Sequence, residues 1–180
     1  PTREYIDIVR QVWAREAPVT SAGPHYPLPL TGEGSTGLGK ALKSIVHPLR
    51  ADIPIMLGAE GPKNVALAAE ICDGWLPLYY SPRLAGMYNE WLDEGFARPG
   101  ARRSRADFEV CPTAQVMVTD DRPAALAMMK PILALYMGGM GAEDTNFHAD
   151  LYRRAGYSDV VDDVTTLFRT GRKDEAARII

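Results

Sequence analysis

Cysteine is scarce in the 180-residue chain, with only Cys72 and Cys111, far apart and in no Cys-x-x-Cys spacing. That excludes a disulfide-stapled scaffold and a thiolate zinc site. Both lie in apolar surroundings and read as free, buried thiols in a reducing compartment. Histidine is limited to three residues. His25 reads as a loop-surface residue, His47 as the end of a helix before Pro48, and His148 as a helix-face residue. With no His-Glu-x-x-His and no carboxylate at ligand spacing, a metal site is not expected. No apolar run approaches the ~18 residues of a membrane span, and no signal-peptide layout is visible. A cytoplasmic protein without a membrane partner is therefore expected. Neither sign of charge dominates: 20 basic and 23 acidic residues leave a net charge of −3. Nucleic acid would require a concentrated basic surface. The one basic cluster, "ARRSR" at 101–105, reads as a solvated turn. Walker A, nucleophile-elbow and Ser/His/Asp patterns are all missing.

What is present is a chain that is 46% hydrophobic, enough for a sizeable core. It begins at Pro1, already in a helical pattern, and stops inside another, "DEAARII", as a fragment would. Tyr5, Ile8, Val9, Val12 and Trp13 form one apolar stripe, predicting a helix over 4–16. Residues 18–39, rich in Pro, Gly, Ser and Thr, read as a long functional loop or a mobile excursion. Then come a strand "IPIML" (53–57), a helix 62–71 with Pro62 in its first turn, a strand "GWLPLYY" (74–80) and a helix 81–96 capped by Ser81. A long strand follows over 108–121, then a helix 122–137 kinked or interrupted at Pro131, and two or three short helices over 143–180. The alternation predicts parallel βαβ units, in an open doubly wound sheet or part of a (β/α)8 barrel. Both place ligands at the C-terminal ends of strands.

At such an end stands "GAEGPKN" (58–64). Gly58 and Gly61 allow positive φ and close approach of backbone to a ligand. With Pro62 opening the helix, the N–H groups of its first turn, including those of Lys63 and Asn64, point back into the loop. Free donors at the positive end of a helix dipole suit a phosphate. The other reading of the glycines is simply a tight βα turn. Glu60 speaks against direct side-chain contact with a highly charged ligand and is compatible with backbone-only recognition or an outward-pointing carboxylate. Val65, Ala68, Ala69 and Cys72 form a small-residue stripe for close packing on the sheet. Tyr79 and Tyr80, at a strand end, are candidates for a pocket wall, with one of the two in the core. "YMGGMGAEDTNF" (136–147) has too many glycines for a simple helix cap and reads as a structured loop, folding over a pocket or making a subunit contact.

The stretch "IPIMLGAEGPKNVALAAEICDGWLPLYYSP" resembles the strand–loop–helix–strand unit of the luciferase-like flavin and deazaflavin oxidoreductases, in particular their actinobacterial branch that uses coenzyme F-420. "YMGGMGAEDTNFHADLYRRAGY" followed by "LFRTGRKDEAA" is similar to the C-terminal helices of that branch. The resemblance runs in order through essentially the whole chain. It implies an α/β fold, a (β/α)8 TIM barrel of the luciferase-like type. Residues 1–180 would be a single domain forming its incomplete C-terminal part, since family members are nearly twice as long. The first strands, with the acid/base histidine or glutamate, would precede Pro1, leaving the catalytic residues unassigned and the fragment alone inactive. The cofactor phosphate would sit on Gly58, Ala59, Glu60, Gly61, Lys63 and Asn64. The family's glucose-6-phosphate dehydrogenases carry a lysine for the sugar phosphate just beyond the second strand. Here Leu78, Tyr79 and Tyr80 stand in that region, implying an apolar or aromatic substrate pocket. The implied activity is hydride transfer between F-420 and a small organic substrate. The alternatives are an FMN-dependent monooxygenase of the same fold and a non-catalytic ligand-binding barrel remnant. A homodimer is the expected assembly.

Overall fold

The apolar run at 53–57 forms its strand late, as β1 over Met56–Gly58, because Pro54 has no N–H to offer a ladder. The computed structural model describes residues 1–142 and 145–180. β2 (Gly74–Leu76) and β3 (Glu109–Val110) complete a three-stranded parallel sheet in the order β1-β2-β3. Met56 faces Gly74, and Trp75 stands between Leu57 and Val110. Parallel neighbours need a crossover. Helix α2 (Pro62–Ile71) supplies the first, and α3 (Ala85–Phe96), entered through a 3-10 turn at Pro82–Leu84, supplies the second. The α/β class and the parallel order match the sequence-based expectation.

The strands are shorter than expected. β2 stops at Leu76, where Pro77 removes the next donor. Of the strand expected over 108–121, only Glu109 and Val110 pair. The Cys111 N–H makes a last rung to the Trp75 carbonyl (2.9 Å), and with β2 ended and Pro112 next, 112–119 has no regular structure. Cys111 is consequently exposed, not buried as expected, while Cys72 is buried; neither is in a disulfide.

Met56–Ile180 forms one compact unit with two cores. In the first, Trp75, Tyr88, Leu92 and Phe108 pack with Leu151 and the small face of α2, where Val65, Ala68, Ala69 and Cys72 are fully buried. The close packing of α3 on α2 depends on Gly95: a Cβ there would stand 2.1 Å from the Ala66 carbonyl oxygen and 2.6 Å from the Ala69 Cβ. The basic cluster is not a solvated turn. Arg102 and Arg103 both donate to the buried Asp73 carboxylate (2.8 and 2.7 Å), and Arg105 reaches Asp93 (2.6 Å). Asp73 sits just before β2, so a buried carboxylate needs these partners.

The second core joins α4 (Arg122–Gly138), α5 (Phe147–Arg154), α6 (Ser158–Arg169) and α7 (Lys173–Ile179) through Ala134, Met137, Ala149, Val161, Val164 and Ala176. α4 runs unbroken through Pro131, where an interruption was one expectation. In the glycine-rich stretch 136–147, Glu143 and Asp144 lie outside the described residues. The remainder is a helix–helix joint: the Asn146 side-chain amide donates to the Tyr136 and Met137 carbonyls, and its oxygen caps the His148 and Ala149 N–H groups.

Pro1–Ile55 forms the other unit. α1 (Thr2–Ala14) buries Ile6 and ends at Arg15 in the left-handed conformation. The rest is irregular, tied by single bridges Val19–Leu42 and Ser21–Leu28. No helix ends at His47, which is exposed, because the residue before a proline is pushed out of the helical region. Among the described residues, no helix is long and apolar enough to cross a membrane, and no three metal-ligating side chains come together.

Candidate functional site

β1 delivers the chain into Gly58-Ala59-Glu60-Gly61 at its C-terminal end, and α2 starts at once, with Gly61 as N-cap and Pro62 in its first turn. The glycines do not serve the positive φ expected of them. Gly61 is extended, at φ −96° and ψ 159°, and Gly58 is not among the positive-φ glycines. Gly61 supplies room instead, since a Cβ on it would meet nothing within 4 Å. With Gly58, Ala59, Glu60 and Asn64 from this loop, Gly61 lines a cleft of about 700 Å3. Leu76, Pro77 and Leu78, then Thr113, Phe147 and His148, form the other walls. The size is that of a small-molecule site.

The donors at α2 are fewer than expected. The Asn64 N–H is already bonded to the Gly61 carbonyl (3.1 Å) and is not free. The N–H groups of Gly61 and Lys63 have no partner among the described residues. The Lys63 side chain is exposed and does not line the cleft. Two unpaired donors at the N-terminus of a ten-residue helix form a small anion cradle.

Glu60 does not point outward. Its Oε1 accepts the Leu78 N–H at 2.6 Å, and its Oε2 is buried without a partner among the described residues. Burial raises its carboxyl above the ordinary range, against a smaller lowering by the Leu78 N–H. One residue back, the fully buried Trp75 indole N–H donates to the Ala59 carbonyl (2.7 Å). The loop after β1 is thus cross-linked twice to β2 and the segment following it.

Leu78, Tyr79 and Tyr80 come together on a second hollow of about 280 Å3 that shares Leu78 and Thr113 with the first. Leu84, Leu133, Leu151, Tyr152 and Tyr157 add to its walls. Tyr79 packs against the first core and Tyr80 stacks on Tyr88. The Tyr88 hydroxyl donates to the Tyr79 carbonyl (3.0 Å). Burial pushes the Tyr79 hydroxyl up to about 12 and those of Tyr88 and Tyr152 higher still, so all three stay neutral.

Thr113, Phe147, His148 and Tyr152 were not anticipated at the site. His148 is buried, with Phe147, Tyr136 and Tyr79 rings at 4.2, 4.8 and 6.2 Å. Its Nδ1 has no partner among the described residues, and burial lowers its affinity for a proton. The only sequence signal was spacing: Tyr152 lies four residues after His148 and so shares its helix face.

The sequence profile of the luciferase-like monooxygenases matches residues 1–180. The chain belongs to this family. It is 85% identical over 179 residues to a Mycobacterium tuberculosis protein named as a coenzyme F-420-dependent oxidoreductase, covering 99% of this chain and 52% of that protein. It is 36% identical over 87 residues to a 5,10-methylenetetrahydromethanopterin reductase of Archaeoglobus fulgidus, covering 48% of this chain and 26% of that one. Among solved structures, the F-420-dependent tetrahydromethanopterin reductase of Methanopyrus kandleri superposes with a TM-score of 0.72 at 21% identity, over 99% of this chain and 46% of that one. At that identity the likeness is one of fold. This luciferase-like chain spans about half the length of the Mycobacterium relative and of the Methanopyrus structure.

Proposed function

We propose that the chain is the C-terminal part of a luciferase-like (β/α)8 barrel, one domain over 1–180, whose whole protein transfers hydride between coenzyme F-420 and a small apolar organic substrate. The observation that carries this is the open cleft at the C-terminal ends of β1 and β2, with the unpaired Gly61 and Lys63 N–H groups at the head of α2. The coenzyme's phosphate fits there because Gly61 leaves the space empty. The 85% identity to a protein named F-420-dependent supports the choice of cofactor.

The deazaflavin, when bound, supplies the hydride chemistry; the protein binds, orients and shields it. In this reading Gly61 and Lys63 hold the phosphate by backbone, Gly58, Ala59 and Asn64 shape the cleft, and Glu60 stays out of direct charge contact. The adjoining hollow of Leu78, Tyr79 and Tyr80 takes the substrate. Its lining is mostly aromatic and aliphatic, with Ser81, Arg83 and Thr113 the polar members, and together with the neutral Tyr79 and Tyr152 hydroxyls it suits an apolar or aromatic molecule. A homodimer working in the cytoplasm belongs to the same proposal.

Trp75 provides the test, since its indole is bonded to Ala59 at the edge of the cleft. The protein in its natural full length is titrated with F-420 and, separately, with FMN, following tryptophan fluorescence. F-420 is expected to quench at the lower concentration. Quenching by FMN alone would assign the protein to flavin monooxygenase chemistry. Quenching by neither would leave a barrel without a coenzyme.

A further inference from the structure

A carboxylate at the mouth of an anion site is an electrostatic contradiction, and the way Glu60 is held removes it. Its Oε1 accepts the N–H of Leu78, the residue whose side chain lines both hollows. Its Oε2 is buried and unpartnered among the described residues. The groups that interact with it supply no compensating charge. Tyr79 from 77–81, Tyr88 from α3 and Tyr152 from α5 feel its charge, and His148 lines the same cleft, while Tyr136 on α4 and Arg154 on α5 act on these tyrosines. The three tyrosines held up by burial stay neutral, His148 is disfavoured as a cation, and the Arg154 guanidinium lies over the Trp91 ring (5.6 Å). On α2, the Lys63 side chain is exposed. Among the described residues none forms an ion pair with Glu60. We propose that Glu60 is a positioning residue that holds Leu78, the wall between the two hollows, and takes up one proton on Oε2 when an anionic group occupies the glycine-lined cleft.

The chemistry is self-consistent. A neutral carboxylic acid keeps a carbonyl oxygen, so Oε1 continues to accept the Leu78 N–H, and the proton resides on the oxygen that has no donor to lose. An ionised Glu60 would face a second negative charge across one residue of backbone, at a site partly withdrawn from water. Like charges there drive a proton onto the carboxylate. Burial already favours the neutral form before any ligand arrives. Anion binding, the protonation of Glu60 and the placement of Leu78 therefore form one linked equilibrium, through which the cofactor side of the site senses pH and steadies the substrate side. The inference rests on the reading that the anion is the coenzyme's phosphate.

The experiment is F-420 binding to the full-length protein and its Glu60→Gln and Glu60→Ala variants between pH 5.5 and 8.5. Calorimetry in buffers of different ionisation enthalpy counts the protons taken up. For the parent, uptake approaching one proton is expected, with affinity falling by up to about tenfold per pH unit on the alkaline side. Glu60→Gln mimics the neutral acid. It should match the parent's low-pH affinity and lose that share of the pH dependence, while Glu60→Ala, without the bracket to Leu78, should bind several-fold more weakly throughout. All other titrating groups, the ligand's included, are common to parent and Gln variant, so their difference isolates Glu60. Equal proton uptake in both, or none in the parent, would overturn the inference while leaving the coenzyme reading intact. Failure of F-420 to bind the parent at any pH would remove the coenzyme reading and this inference with it.

Discussion

At the scale of single residues, Gly61 and Glu60 separate two demands on one loop. Gly61 is there for space: its backbone is extended and its missing side chain leaves the cleft open. Gly61→Val should weaken F-420 binding more than tenfold, about 1.4 kcal/mol, with an unchanged circular dichroism spectrum; a normal dissociation constant would show that the ligand lies elsewhere. Glu60 is there for placement, and its raised proton affinity has a consequence for stability. A carboxyl whose folded-state pKa is raised stabilises the fold below its unfolded pKa, and that contribution is lost as pH rises through the folded value. Melting temperatures of the parent and Glu60→Gln should thus diverge from pH 5 to pH 8, with the Gln variant gaining. Parallel curves would place Glu60 in water.

Helix contacts decide matters at the scale of elements. α2 presents only small side chains to the core, and α3 meets it through Gly95, whose Cα sits against Ala66 and Ala69. Gly95→Ala should force the two helices apart and cost about 1–3 kcal/mol, as overpacking does. Gly86, exposed on the same helix with nothing within 4 Å of a Cβ, is the control. Gly86→Ala should gain roughly 0.5–1 kcal/mol from helix propensity. Urea midpoints moving in opposite directions for the two variants are the expected result; two shifts of one sign would mean that α3 does not rest on α2 at Gly95.

The scale of the whole molecule brings in the surface beyond β3. Val116 and Val118 are almost fully exposed and Met117 is half-exposed, in a stretch that leaves the sheet with no regular structure of its own. Contiguous exposed apolar side chains favour association. The 180-residue chain should therefore self-associate in sedimentation experiments at micromolar concentration, and Val116→Glu with Val118→Glu should shift it toward monomer. A parent chain that sediments as monomer would show this stretch to be harmless.

Local chemistry alone was enough for α2, whose bounds follow from Pro62, which starts a helix without an N–H to waste, and from the apolar run ending at Ile71. It was enough for the parallel βαβ order, because strand and helix patterns alternate, and for the placing of an open glycine turn at a strand end. Strand lengths were not legible, since a strand is only as long as its neighbour: 112–119 has strand composition and no partner. Cys111 and Arg102 changed character for the same reason, one losing cover and the other finding the buried Asp73. The inward fold of Glu60 and the arrival of His148 and Tyr152 beside Leu78 belong to tertiary structure entirely. Periodicity states which face of α5 is buried; only the folded chain decides that His148 lines the cleft beside the loop after β1 and that Leu151 joins the core around Trp75.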